Sequence, residues 1–255
     1  MSVKTIGGVR GFSLGAGNPE RLEILSSRNG LYSNARSALY ALTQVCRWRR
    51  IWLPSFICDT VLQPFVKAGI VFDFYPVDRM LTADLNEISI EAGDAVLLIS
   101  YFGMPSAPSL YASLKEKGAC VIEDLSQAVY LSPNKLADFS VYSLRKFFAV
   151  PDGGVVVSNG AEVNWPYTSS ADRGGLLRGI EALAGRSLFD AGLSDSKVWV
   201  SDFQKSEAAL TADLFPMSLF TRAQVAGSID FENDKSQRIK NFDYLLSELP
   251  EISLI

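Results

Sequence analysis

The 255-residue chain contains no histidine. That absence excludes Ser-His-Asp and Cys-His catalysis and removes the commonest ligand of zinc and iron. Cysteine is scarce as well. Cys46, Cys58 and Cys120 are odd in number and form no CxxC pair, so neither a disulfide framework nor a metal site is expected. An excess of one charge is missing too. With 24 Lys and Arg against 28 Asp and Glu, the net charge is −4, which gives no electrostatic reason to expect nucleic acid or an anionic membrane as a partner. No apolar run reaches the roughly 20 residues of a membrane-spanning helix. Met1-Ser2-Val3-Lys4 opens without the apolar core of a signal peptide, and a cytoplasmic protein is expected. Chemistry in such a chain rests on lysine, carboxylates, hydroxyls or a bound cofactor.

What is present is an ordinary globular composition, 48% apolar and 20% charged, in a chain long enough for one large domain. Strand-like and helix-like segments alternate through the first half. Residues 33–48 have helical spacing behind the capping candidates Ser33 and Asn34. Residues 50–54 and 70–77 read as strands, and 60–68 as a helix stopped by Gly69. Residues 95–101 are continuously apolar, as a strand buried on both faces should be. A helix over 110–117 and strands over 119–123, 139–143 and 154–158 complete the set. This β-α-β order predicts an α/β fold: a mostly parallel central sheet flanked by helices, with ligands at the carboxyl ends of the strands. Between 161 and 215 the pattern weakens into polar turns and short amphipathic pieces. Helical spacing returns from Ser218, with one long helix over 231–249, and 251–255 read as the first strand of something further.

Three loops carry polar residues that each read in two ways. Ser33-Asn-Ala-Arg-Ser37 opens a helix, where free N–H groups and the dipole suit a phosphate; from local sequence alone a plain N-cap is the simpler reading. Asp124 ends an apolar strand, as either a ligand group or the cap of the next segment. Lys146 lies in an apolar run, where burial would lower its pKa toward the neutral amine that Schiff-base chemistry needs. Lys146 or Arg145 could instead snorkel out of that run. Together the loops supply a phosphate cradle, an acid for a pyridine nitrogen and an amine for an aldehyde. No GxGxxG follows a strand, and there is no Walker lysine.

These residues resemble the DegT/StrS family of pyridoxal-phosphate (PLP)-dependent, fold-type I sugar aminotransferases. Five stretches carry the likeness in the family's order: Ser33-Asn-Ala-Arg-Ser37; Leu53-Pro-Ser-Phe-Ile-Cys-Asp-Thr60 with Gly69 and Phe74-Tyr-Pro-Val-Asp78; Tyr101-Phe-Gly103; Val121-Ile-Glu-Asp-Leu-Ser-Gln-Ala128; and Ser143-Leu-Arg-Lys146 with Gly153-Gly154. The resemblance covers residues 30–255. It implies Lys146 as the lysine that holds the cofactor as a Schiff base and Asp124 as the partner of the pyridine nitrogen. It places Gln127 beside the ring hydroxyl, and Ser33, Asn34, Ala35, Arg36 and Ser143 around the phosphate. The likeness departs from the family at three points. Cys58 stands near the place of a stacking aromatic, Ser143 lies closer to the lysine than the family's serine does, and the chain ends where a C-terminal domain would begin.

On this resemblance, residues 1–230 form a PLP-binding large domain, and 231–255 a linking helix with the start of a small domain. The implied function is transfer of an amino group from an amino acid to a keto-sugar or similar carbonyl, with a nucleotide-sugar as a possible acceptor, in a homodimer. Two other readings stand beside it: a truncated, non-catalytic relative serving as a binding or scaffolding protein, and the same cofactor used for elimination or dehydration.

Overall fold

The computed structural model describes residues 24–86 and 88–249. The expected strand at 251–255 and the opening Met1–Lys4 segment lie outside the described residues.

Seven strands form one sheet: β1 Gly30–Tyr32, β2 Ile51–Pro54, β3 Phe72–Tyr75, β4 Ala95–Ile99, β5 Cys120–Asp124, β6 Phe139–Ser143 and β7 Gly154–Ser158. Their order across the sheet is β1-β7-β6-β5-β4-β2-β3. Strands β3, β2, β4, β5 and β6 are parallel neighbours. Strand β7 alone is reversed, antiparallel to both β6 and β1. The fold is therefore the expected α/β class, a mostly parallel sheet flanked by helices. Strand β2 sits between β3 and β4, so the chain changes direction across the sheet there, and such a switch opens a crevice at the carboxyl ends of the strands.

The apolar runs explain the layers. Every residue of β4 is buried, because helices cover both of its faces. On one face, α1 (Ala35–Val45) lays Ala38, Leu39, Ala41 and Leu42 against Leu53, Leu97, Ile122 and Val141. On the other, Trp52, Tyr75, Val96, Leu98 and Val121 pack with Tyr111 and Leu114 of α3 (Pro108–Glu116). The helix expected over 60–68 divides into a 3₁₀ turn at Asp59–Val61 and α2 (Gln63–Ala68), because Pro64 suits a helix's first turn and not its interior. Gly69 closes α2 in the left-handed region at φ 66°, as its position implied.

The stretch read as polar turns is instead two substantial helices, α4 (Arg173–Asp190) and α5 (Ser196–Ala208). Four glycines in α4 (Gly174, Gly175, Gly179 and Gly185) dilute its propensity and its apolar stripe. At Gly179 the reason is packing, since a Cβ there would stand 2.6 Å from the Pro151 carbonyl oxygen. Tertiary contact with the loop before β7 thus outweighs the weak local signal. Helices α6 (Leu219–Gly227) and α7 (Phe231–Glu248) follow, α7 over almost the span its spacing predicted. Among the described residues no helix is long and apolar enough to cross a membrane.

Asp94, just before β4, is fully buried and pins the amino ends of β2 and β4. It accepts Nε of Arg49 at 3.0 Å, Nε1 of Trp52 at 3.0 Å and the Glu91 N–H at 3.2 Å. Burial by itself would raise its pKa. The bonds from Arg49, Trp52 and the Glu91 amide outweigh that and hold the carboxyl below the ordinary carboxylate value. Because the folded value lies below the unfolded one, this stabilisation is complete above about pH 4 and is lost as pH falls through the folded value. Asp94→Leu is expected to orphan the Trp52 N–H at a cost of roughly 1–3 kcal/mol. It should also flatten the acid limb of stability, which urea unfolding between pH 3 and 7 would read.

Candidate active site

Strand β5 separates its two terminal carboxylates by alternation. Glu123 turns into the core, where it accepts the Tyr111 hydroxyl at 2.8 Å, the Asn134 N–H at 3.0 Å and the Ser140 hydroxyl at 3.1 Å. With both oxygens occupied, it is structural. Asp124 faces the other way, into a cavity of about 480 Å³. One of its oxygens accepts the Ser126 N–H at 2.8 Å and no other hydrogen bond reaches it among the described residues. Burial first, and the charge of Asp124 second, push the Tyr101 hydroxyl up to about 12. That phenol donates to the Phe56 carbonyl at 2.5 Å.

The start of α1 forms the facing wall. Asn34 caps the helix, accepting the Ser37 N–H at 3.0 Å and donating to the Thr211 carbonyl at 3.0 Å. The N–H groups of Ala35 and Arg36 have no partner among the described residues, as expected for a first helical turn. Both residues line the cavity. The Asn34 side chain is thus a cap, and the amides beside it are unpaired among the described residues. Burial pulls the Arg36 guanidinium below its ordinary value, with Glu207 opposing and Arg145 adding to the shift.

Lys146 closes a 3₁₀ turn, Leu144–Lys146, directly after β6. Its surroundings differ from those the apolar run implied. Leu144 and Phe148 turn into the core, and that leaves Lys146 exposed and among the residues that line the cavity. The amine makes no hydrogen bond or ion pair among the described residues. Gly153 ties this turn to the helix start, its carbonyl accepting Leu144 N–H at 2.9 Å and its N–H donating to the Ser33 carbonyl at 2.7 Å.

The structure thus brings six of the eight sequence-derived residues to one cavity: Asn34, Ala35, Arg36, Asp124, Ser143 and Lys146. Two lie outside its lining. Ser33 is buried behind the helix start, where its hydroxyl accepts from Asn34 Nδ2 at 3.2 Å. Gln127 accepts the Phe102 N–H at 3.0 Å, bracing a residue held at φ 53° in the loop after β4.

The chain is similar to three solved structures at modest identity. CalS13, a sugar aminotransferase from Micromonospora echinospora, has 20% identity over 54% of this chain and 43% of its own, at a TM-score of 0.45. PseC from Helicobacter pylori, an aminotransferase involved in pseudoaminic acid biosynthesis, has 17% over 60% and 53%, at 0.46. TlmJ from Streptoalloteichus hindustanus has 21% over 58% and 47%, at 0.46. All three are aminotransferases. The chain spans about half the length of each, 43–53%. No family model matches the chain, and no curated protein matches it.

Sequence reasoning missed the far wall of the cavity. Thr60 and Val61 come from the 3₁₀ turn after β2, and Phe203 and Glu207 from α5. Arg145 also lines it, and its side chain is only 12% exposed. Its adjacency to Lys146 was the available signal. For Phe203 and Glu207 there was none, since they reach the site from a segment without a legible pattern.

Proposed function

We propose that this chain is the cofactor-binding domain of a PLP-dependent aminotransferase acting on an amino-acid donor and a keto-sugar or related carbonyl acceptor. The observation that carries the reading is convergence. Two free amides at a helix start, a carboxylate at the end of a central strand and an unpaired lysine amine line one cavity, although they are up to 111 positions apart in sequence, from Ala35 to Lys146. Its volume suits a cofactor of this size, and its donors match the three polar ends of PLP. The Ala35 and Arg36 amides, with the Ser143 hydroxyl, would hold the phosphate, and Asp124 would keep a proton on the pyridine nitrogen. Bound there, the cofactor supplies an electron sink for negative charge at a substrate α-carbon. Lys146 Nζ would anchor it and serve as the base that moves the proton. The sugar acceptor and the homodimer follow from the motif resemblance at 121–128 and 143–154.

The test is covalent trapping. Purified protein is mixed with excess PLP, reduced with borohydride, digested and analysed by mass spectrometry. A pyridoxyl group is expected on Lys146 and should be absent from Lys146→Ala. Because Lys146 is exposed, that variant should keep its unfolding free energy within about 0.5 kcal/mol. Loss of the label on adding glutamate before reduction would extend the result to amino-group transfer. No label on Lys146 at saturating PLP sinks the reading and leaves the non-catalytic, scaffolding account.

A further inference from the structure

The cavity already holds a carboxylate of its own. Glu207, near the end of α5, lines it with Oε1 2.5 Å from Nη2 of Arg145, one residue from Lys146. The pair is unequal in setting. Arg145 is nearly buried, at 12% exposure, whereas Glu207 is 41% exposed at the rim. Arg36 lines the same cavity, but it donates to the Leu210 carbonyl at 3.1 Å and to Gln63 rather than to Glu207. Glu207 is thus paired with Arg145 beside an unpaired lysine. A guanidinium fork presents its donors to any carboxylate in the same geometry, so the position Glu207 occupies is a carboxylate subsite.

The geometry points to Arg145 as the residue that receives the carboxylate of an incoming amino or keto acid, with Glu207 standing in that place until the ligand displaces it. The inference deepens the proposed function and rests on its assignment of this cavity as the ligand site. Arg145 is a specificity residue in this scheme, since it selects substrates that carry a carboxylate near the group presented to Lys146. Glu207 is an internal competitor. Phe203 lines the cavity from the same helix, so exchange of one carboxylate for the other also loosens the α5 wall. Retaining a weak, half-exposed competitor has a physical use: it keeps a nearly buried guanidinium paired when no ligand is present, which avoids the cost of an unpaired buried charge.

The experiment measures glutarate, a dicarboxylate with no amino group to react, by calorimetric titration of the full chain without PLP. Removing the competitor raises the binding-competent fraction, so Glu207→Ala is expected to bind glutarate about tenfold more tightly than wild type. Arg145→Gln is expected to lose measurable binding. Hydrogen exchange in α5 should speed up when glutarate is added to wild type, and be fast from the outset in Glu207→Ala. Equal affinity in wild type and Glu207→Ala overturns the inference even if Arg145→Gln does not fold. Undiminished binding by a folded Arg145→Gln overturns it as well. Trapping at Lys146 separates this from the broader reading. A label on Lys146 with glutarate binding indifferent to both substitutions removes the inference alone, whereas the expected glutarate behaviour without a label removes the cofactor assignment and leaves a carboxylate-binding cavity.

Discussion

Gly154→Ala is expected to destabilise the domain by at least about 3 kcal/mol, at the upper end of what one added methyl group does. Gly154 opens β7 directly behind the first turn of α1. A Cβ placed there would stand 2.1 Å from both the carbonyl carbon and oxygen of Asn34 and 2.5 Å from the Ala35 nitrogen. These are backbone atoms on both sides, so no side-chain rotation relieves the overlap. Either β7 or α1 has to move. Strand β7 is paired with β6 through Ser143↔Gly154 and with β1 through Tyr32↔Gly154, which makes the helix start the element that yields. The same displacement carries the Ala35 and Arg36 amides away from the cavity. Urea unfolding would read the stability, and PLP titration of the folded fraction would read the cradle. The expected result is loss on both. Intact PLP binding in a folded variant would show that the helix start does not hold the phosphate.

The second large effect is expected at Asp152→Ala. Asp152 lies in the loop between the Lys146 turn and β7, and is buried at the start of α6. Its carboxylate accepts the Ser218 N–H and the Ser218 hydroxyl, each at 2.8 Å, and the Thr221 hydroxyl. Truncation leaves both Ser218 donors without an acceptor and the Thr221 hydroxyl with only the Asp152 backbone carbonyl at 3.4 Å, at a cost of roughly 3–5 kcal/mol. Burial pushes the Asp152 pKa above the ordinary carboxylate value, against the bonds from Thr221 and Ser218 and the charge of Arg145. The sign is opposite to that at Asp94. With the folded pKa above the unfolded one, the native state binds the proton more tightly, so this contribution to stability falls as pH rises from about 4 through the folded value. Asp152→Asn preserves the shape and removes the titration. It is expected to be less damaging than alanine and to abolish that part of the pH dependence. Unfolding midpoints of the three proteins across pH 4 to 8 would check both statements, and an alanine variant as stable as wild type would contradict the first.

Both residues show where local sequence stops being informative. Gly153-Gly154 and the apolar runs at 95–99 and 119–122 could be read directly, because a strand covered on both faces must be continuously apolar. The helix cap at Asn34 and the left-handed Gly69 were legible for the same reason: each is decided by the backbone of a few adjacent residues. The burial of Lys146 was misjudged because neighbouring apolar side chains show that a segment is packed without showing which way each one turns. Helix α4 was missed because glycines such as Gly179, which packs against Pro151, resemble glycines that break helices.

By itself, the sequence determined the fold class, the order of the strands along the chain and the identity of most polar groups that line the cavity. Those features rest on short-range periodicity and on residue types whose chemistry is their own. The tertiary structure alone decided which groups share the cavity. It turned Glu123 into the core and Asp124 outward, directed Gln127 to the Phe102 amide, left the Lys146 amine unpaired and set Glu207 on Arg145. The Gln127 and Glu207 contacts join segments 25 and 62 residues apart, and no local pattern encodes the direction of approach.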